Sequence, residues 1–205
     1  KEKSKTCIYN YDYKKNKITI CLTPNKDQRF VSPYIFRYKK KFIMLFENQD
    51  TKIKHTKISL AKSNNLTSWK LINSKFIYNK KWSIGSPAVI KNRYKNDFIF
   101  FFSKKRKNEI KHIYFFKRNL NLSKNNYKKN RLIHFDKFCN DYAPFILKIK
   151  NDYYNFFSRW LGFIVKRGFI FFSKSKDLLH WSIPAKVKVS KKIYLNKPKI
   201  IHYSE

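Results

Sequence analysis

Residues 32–46 read SPYIFRYKKKFIMLF, two short apolar runs separated by a basic turn. The same arrangement returns along the chain, because Pro33, Pro87, Pro144 and Pro198 each open an apolar run and lie 54, 57 and 54 residues apart. Proline is tolerated as the first residue of a strand, where its missing N–H is not needed. Self-similarity at this period indicates tandem supersecondary units.

The other parts of the unit keep the same spacing. Second runs begin at Phe42, Phe98 and Tyr153, and third runs begin at Ile58, Ile113 and Ile170. A turn ending in tryptophan (Trp69, Trp181) and a short fourth run follow in two copies, whereas residues 119–130 of the middle copy are longer and lack the tryptophan. The runs show no helical period and are rich in Ile, Phe and Tyr, so they predict strands. The first two runs of each unit are nearly continuously apolar, which predicts burial on both faces.

A four-stranded antiparallel unit in tandem predicts an all-β fold, a β-propeller with one domain over residues 1–205. The expected limits are a partial blade at 1–27, blades at about 28–80, 81–138 and 139–192, and the start of another blade at 193–205. A β-sandwich is the alternative, but a sandwich does not require one recurring register. The two ends either complete one composite blade or belong to a longer ring, and we expect the fragment of a longer ring.

The chain is strongly basic, with 48 Lys and Arg against 12 Asp and Glu and a formal charge of +36. Such a charge is typical of proteins that bind nucleic acid, anionic membranes or acidic polymers. However, the lysines are spread along the whole chain, and the joint bias toward Lys, Asn, Ile, Phe and Tyr is what AT-rich coding produces. No apolar stretch approaches 18 residues, so no membrane-spanning helix is predicted.

The cysteines and histidines show no ligand pattern. Cys7, Cys21 and Cys139 make an odd number without a Cys-x-x-Cys pair, which argues against a disulfide framework or a zinc site and favours a reducing, cytoplasmic compartment. The histidines lack metal-ligand spacing as well. We therefore expect neither a metal nor another cofactor.

A family resemblance rests on the turns. Ala61-Lys-Ser, Leu66-Thr-Ser-Trp69 and the stretch 173–181 (SKSKDLLHW) resemble the blades of the five-bladed propeller glycoside hydrolases, a group that includes arabinanases, β-xylosidases, invertases and levansucrases. The resemblance covers about residues 30–203. It implies a central funnel with three carboxylates at the starts of inner strands, commonly in Asp-Pro or Glu-Gly-Pro motifs. Here no acid stands directly before an inner-strand proline or two residues before it.

Repeat position separates turn acids from candidate site acids. Asp97, Asp152 and Asp177 stand in turns that explain them. Glu47 ends a second strand where the other copies have serine, and Asp141 lies three residues before its proline where the other copies have apolar residues. Glu47 and Asp141 are therefore the candidate catalytic carboxylates, although both could instead pair with one of the many Arg or Lys side chains.

Further polar and aromatic residues stand at the same end of the predicted strands. This candidate substrate-binding set comprises Asp27, Arg29, Ser32, Trp82, Ser86, Tyr142, Arg159 and Trp160. Aromatic platforms with a few polar groups are typical of ligand pockets, although aromatic residues at these positions could equally belong to the core.

The resemblance implies a carbohydrate-active propeller that hydrolyses or binds a glycan at its funnel. Hydrolysis requires two carboxyl groups about 5–5.5 Å apart for retention or about 6.5–9.5 Å apart for inversion. A non-catalytic glycan-binding propeller is the first alternative, and a polyanion-binding module is the second. We do not expect nucleic acid as the partner, because the repeat does not gather base-stacking aromatics and lysines on one face.

Overall fold

The computed structural model describes residues 8–12, 14, 17–91, 97–105, 110–119, 131–133, 136, 138–161 and 168–188. The predictions for Cys7, for the segment 120–130 and for the run at Pro198 lie outside the described residues. Within the described ranges the regular structure is entirely β-strand, and no helix there is long and apolar enough to cross a membrane.

Fourteen strands form a hairpin and three four-stranded sheets in the described part of the chain. The hairpin comprises β1 (Ile8–Asp12) and β2 (Lys17–Leu22). The first sheet comprises β3 (Gln28–Tyr38), β4 (Lys41–Asp50), β5 (His55–Ser63) and β6 (Trp69–Ile77). The second comprises β7 (Ser83–Lys91), β8 (Asp97–Lys105), β9 (His112–Asn119) and β10 (Arg131–Leu132). The third comprises β11 (Cys139–Ile149), β12 (Asp152–Leu161), β13 (Gly168–Ser175) and β14 (Ala185–Lys186).

In each four-stranded sheet the strands lie side by side in chain order and are antiparallel, as the repeat predicts for a propeller blade. The chain divides into two compact units, Lys1–Pro87 with Asn119–Lys129 and Ala88–Arg118 with Asn130–Glu205. The single propeller domain and its blade limits stay a prediction.

The core of the first unit explains why the β4 run is continuously apolar. Met44 and Phe46 join Phe30 and Ala61 in one buried cluster, to which Ile8 of the β1–β2 hairpin contributes. Leu45, which points to the opposite face, is fully buried as well. Both faces of this strand are therefore covered, which removes the alternation seen in half-exposed strands.

Aromatic rings fill the corresponding core of the second unit. The β8 run Phe98–Phe102 is fully buried. The Phe101 ring stacks on Phe115 and receives the edge of Trp181, each at a centroid distance of 5.8 Å. The tryptophan that ends the third-copy turn therefore packs against an aromatic strand of the same unit.

The residue before each of Pro33, Pro87 and Pro144 adopts a left-handed backbone conformation. The φ angles are 52° at Ser32, 51° at Ser86 and 49° at Ala143. The strand register skips at two of these places, between Val31 and Tyr34 and between Tyr142 and Phe145. Residues other than glycine rarely adopt positive φ, and a bulge is one place where the ladder does not need the proline N–H.

The turns that carry the family resemblance have the same hydrogen bonds in both copies. In the third copy, Asp177 Oδ1 accepts the N–H groups of Leu179 at 2.8 Å and His180 at 2.9 Å, while Ser175 Oγ accepts the N–H of Leu178 at 2.9 Å. In the first copy, Asn65 and Ser63 accept the matching N–H groups. Leu66 and Leu178 both have positive φ, which these side-chain bonds hold in place.

Asp177→Ala should lower the free energy of unfolding by about 1–2 kcal/mol, because the turn N–H groups lose their acceptor. The exposed neighbour supplies a control, and Lys176→Ala should change stability by less than about 0.5 kcal/mol. Urea unfolding followed by circular dichroism measures both. Equal losses in the two variants would contradict this role for Asp177.

The same variant should show a pH-dependent difference from the wild type. Burial opposes ionisation of Asp177, but the N–H and ring of His180 and the N–H of Leu179 outweigh it, so the pKa of Asp177 is lowered. A lowered folded-state pKa stabilises the fold above the ordinary carboxyl pKa of about 3.9, and this stabilisation is lost as the pH falls toward the folded value. The stability gap between Asp177→Ala and wild type should therefore narrow below about pH 4.

Candidate functional site

Glu47 is a buried residue in the last part of β4. Because β3 and β4 are antiparallel, this part of β4 lies beside the start of the inner strand β3. Glu47 pairs in register with Val31 of β3 and Ile58 of β5, and the residue is only 7% exposed. Its Oε1 atom accepts the backbone N–H of Ser86 at 2.7 Å and the Ser86 hydroxyl at 3.1 Å. Ser86, a predicted binding residue, therefore contacts the candidate carboxylate directly.

Two further residues complete the surroundings of this carboxylate. Gln49 Nε2 donates to Glu47 Oε2 at 3.1 Å. A Cβ atom on Gly85 would lie 2.8 Å from Glu47 Cδ, so only glycine lets the strand approach this closely. An ionised carboxylate offers about four acceptor positions. The described residues fill three of them, which leaves one for a donor such as a sugar hydroxyl.

Asp141 forms a buried ion pair with Arg159. The two residues face each other in the β11–β12 ladder, with Arg159 Nε 2.8 Å from Asp141 Oδ1 and Nη2 3.0 Å from Oδ2. The Asp141 side chain has no exposed surface. Burial works to lower the pKa of Arg159, but the hydrogen bond and charge of Asp141 outweigh it and raise that pKa. The pairing with a basic side chain that the sequence left open is thus present for Asp141.

Other polar groups surround this pair. Arg159 Nη1 lies 3.5 Å from Asp136 Oδ2. The Arg159 guanidinium also lies 5.1 Å from the centroid of the Phe171 ring. Burial and then the hydrogen bond to Asp136 raise the pKa of the Cys139 thiol to about 11, so this thiol stays protonated at neutral pH.

Tyr142 is held beside the same pair. The Lys111 ammonium lies 4.5 Å from the centroid of the Tyr142 ring. The start of β11 is anchored to the same segment, since Asp141 N donates to Lys111 O at 2.8 Å. Burial and then the charge of Asp141 raise the pKa of the Tyr142 hydroxyl, which therefore remains a neutral donor.

The other predicted residues of the first unit are partly engaged elsewhere. Asp27 forms an ion pair with Lys52 at 2.9 Å, and its backbone oxygen accepts the N–H of Thr51. Arg29 is exposed, and Ser32 lies in the β3 bulge beside the Glu47 rung. Trp82 is half-buried and forms a bridge with Asn79 before β7.

Trp160 is the last predicted residue of the second unit. It pairs with Asn140 of β11 and Gly168 of β13. A Cβ on Gly168 would lie 3.0 Å from the Trp160 ring, so the half-buried indole packs closely against the glycine. Asp141, Tyr142, Arg159 and Trp160 thus occupy neighbouring rungs of one ladder.

Sequence reasoning missed three residues: Gly85, Gln49 and Asp136. Gly85 could have been found, because it is one of only three glycines in the chain and directly precedes a predicted binding residue. The other two had no repeat signal, since a side chain's hydrogen-bond partner depends on neighbouring strands.

The sequence matches no protein-family model and no curated protein sequence. Its fold does match solved structures. A thermostable family-43 glycoside hydrolase superimposes with a TM-score of 0.63 at 18% identity, covering 79% of this chain and 55% of that one. The endo-arabinase from Bacteroides thetaiotaomicron gives 0.65 at 14% identity, covering 83% and 67%. The α-L-arabinanase from Penicillium chrysogenum, complexed with arabinobiose, gives 0.60 at 14% identity, covering 84% and 56%.

The chain has the fold of the propeller glycoside hydrolases. The predicted β-propeller class is thereby confirmed. The chain spans a little over half the length of the first of these structures, and the similarity at these identities concerns the fold. The propeller blades described above therefore carry the candidate carboxylates in a scaffold shared with these enzymes.

Replacing Arg159 alone should destabilise the propeller strongly. Arg159→Met leaves Asp141 buried without its charge partner, and breaking such a pair costs about 3–5 kcal/mol. Adding Asp141→Leu should recover most of this loss, since paired apolar side chains of similar volume often replace a buried ion pair without cost. Urea unfolding of the two single variants and the double variant measures the coupling, and additive losses would contradict a direct pair.

Proposed function

We propose that this chain is part of a carbohydrate-active propeller that binds a glycan in the first unit. The proposed site lies around Glu47, at the end of the sheet where the inner strand β3 begins. The observation that carries the proposal is the environment of Glu47. Its carboxylate accepts three hydrogen bonds from Ser86 and Gln49, so the described residues leave one of its about four acceptor positions for a ligand. Charge-assisted acceptors of this kind are the strong hydrogen-bonding partners of a sugar hydroxyl.

Nearby residues support a sugar as the ligand. Trp82 lies four residues before Ser86, within about 13 Å along the same segment. Its half-buried indole could cover a sugar ring, and the exposed Arg29 of β3 adds a planar donor group. The similar fold of the arabinanase complexed with arabinobiose supports the same ligand class.

Glycoside hydrolysis is the activity that this site would perform if it is catalytic. One carboxylic acid would protonate the leaving oxygen, and a second carboxylate would act as base or nucleophile. We propose Glu47 and Asp141 as these two groups, and Arg159, which donates two hydrogen bonds to Asp141, as the residue that positions Asp141.

Non-catalytic glycan binding is the second candidate. The absence of exposed surface at Asp141 favours it, because a carboxylate must reach the reacting sugar to act on it. Both candidates share the glycan ligand and differ in turnover, so one set of variants distinguishes them.

Glu47→Gln should weaken glycan binding about tenfold or more, because the lost hydrogen bond is to a charged group. Calorimetry against soluble arabinan, xylan, fructan and mannan measures binding, and reducing-end release measures hydrolysis. Asp152→Asn is the control, since Asp152 pairs with Lys174 in a turn and should leave binding unchanged. Any hydrolysis should fall by at least about 100-fold in Glu47→Gln with Asp141→Asn.

The outcomes separate the alternatives. Binding without turnover in the wild type selects the non-catalytic candidate. Undiminished turnover in the double variant would remove Glu47 and Asp141 from the catalytic role. Failure of the wild type to bind any of the four glycans would overturn the proposed site.

A further inference from the structure

Two blades neutralise one lysine of their third strand in the same way. In the second sheet, Lys117 of β9 lies 3.2 Å from Asp97, the first residue of β8. In the third sheet, Lys174 of β13 lies 2.8 Å from Asp152, the first residue of β12. An aspartate that begins the second strand is thus the partner of this lysine in both sheets.

The first blade breaks this rule. Lys62 of β5 is the repeat equivalent of Lys117 and Lys174, because each lies four residues after its third-strand isoleucine. The first residue of β4, where the other blades have aspartate, is Lys41. Since Lys62 pairs with Ile43, Lys41 lies diagonally across from Lys62 on the same face. The attractive pair is therefore replaced by two like charges.

The adjoining turn adds two more lysines around one pocket. The pocket has a volume of about 500 Å³ and is lined by Tyr38, Lys39, Lys40, Lys41, Ile43 and Lys62. Among the residues that the structure describes, no carboxylate forms an ion pair with any of these four lysines. Like charges gathered around one pocket repel each other, and a bound anion would relieve that repulsion.

We propose that this lysine pocket binds the sulfate or carboxylate groups of an acidic polysaccharide. The wall of the pocket is almost entirely apolar and is formed by Tyr38, Ile43 and the lysine stems, so a sugar ring can pack against it. The ammonium groups at the ends of these stems would donate to the anionic groups of the polysaccharide. Single-stranded nucleic acid fits less well, because stacking of successive bases requires several aromatic platforms and this pocket has one ring.

The pocket is separate from the proposed glycan site. Lys41 and Glu47 are six residues apart on β4, which places them about 20 Å apart at opposite ends of the strand. The acidic-polysaccharide site therefore does not rest on the role of Glu47, and variants in one place leave the other unchanged.

Lys41→Asp restores the residue type of the other two blades and should form an ion pair with Lys62. We expect this variant to fold like the wild type and to bind heparin, a sulfated polysaccharide, or polygalacturonate, a carboxylated one, about tenfold more weakly at low salt. Lys176→Asp, an exposed turn position in the other compact unit, makes the same change in formal charge and should retain binding. Lys62→Gln provides a second pocket variant if Lys41→Asp does not fold.

Titrations in increasing sodium chloride with both polysaccharides and with single-stranded DNA test the proposal. A selective loss in Lys41→Asp or Lys62→Gln for either polysaccharide supports it, and the polysaccharide affected identifies the anionic group. Equal losses in Lys176→Asp would mean a net-charge effect and overturn the pocket. Absence of polysaccharide binding, or tighter binding of DNA that these pocket variants abolish, would overturn it as well.

Discussion

The left-handed residue before each of Pro33, Pro87 and Pro144 is the constraint that sets the surroundings of the two buried carboxylates. A positive φ at this place interrupts the ladder, and the proline that follows has no N–H to lose. The positive φ lies at the same end of each sheet because the repeat places it there, and the register skips at this point in the first and third sheets. In the first unit it brings the Ser86 amide to the Glu47 carboxylate, and in the third sheet it separates the Asp141 rung from the apolar rungs that follow.

Glu47 and Asp141 are buried carboxylates whose hydrogen bonds compensate for their removal from water. Glu47 receives three donors from two neighbouring residues, and Asp141 receives both donors of one face of a guanidinium. Removing a carboxylate from water is costly, so such groups persist when the local geometry compensates for the lost hydration. The donors differ between the two carboxylates, because Glu47 is bound by neutral groups and Asp141 is bound by a positively charged guanidinium. Their chemistry should differ accordingly, since a neutral environment leaves a carboxylate more available to a ligand.

Comparing the blades with one another shows a local concentration of positive charge that the overall composition does not reveal. Over the whole sequence the lysines are too evenly spread to indicate a partner. Within the repeat, however, the second and third blades neutralise an equivalent lysine with aspartate, while the first blade replaces that aspartate with lysine. A compositional bias toward lysine explains the abundance of the residue but does not explain a pocket that four lysines line.

The sequence by itself determined the strand order, the four-stranded unit, the turn position of Asp177, and the short list of acids outside the turns. These features depend on local spacing, on side-chain alternation and on hydrogen bonds within a few residues, all of which can be read along one chain. Only the tertiary structure decided that Ser86 donates hydrogen bonds to Glu47 and that Arg159 forms an ion pair with Asp141, because these contacts join different strands. The lysine pocket was also beyond the sequence, since the same +36 charge is compatible with lysines scattered in solvent or gathered on one face. Periodicity specifies which residues share a blade, whereas the approach of side chains across strands depends on register, bulges and burial.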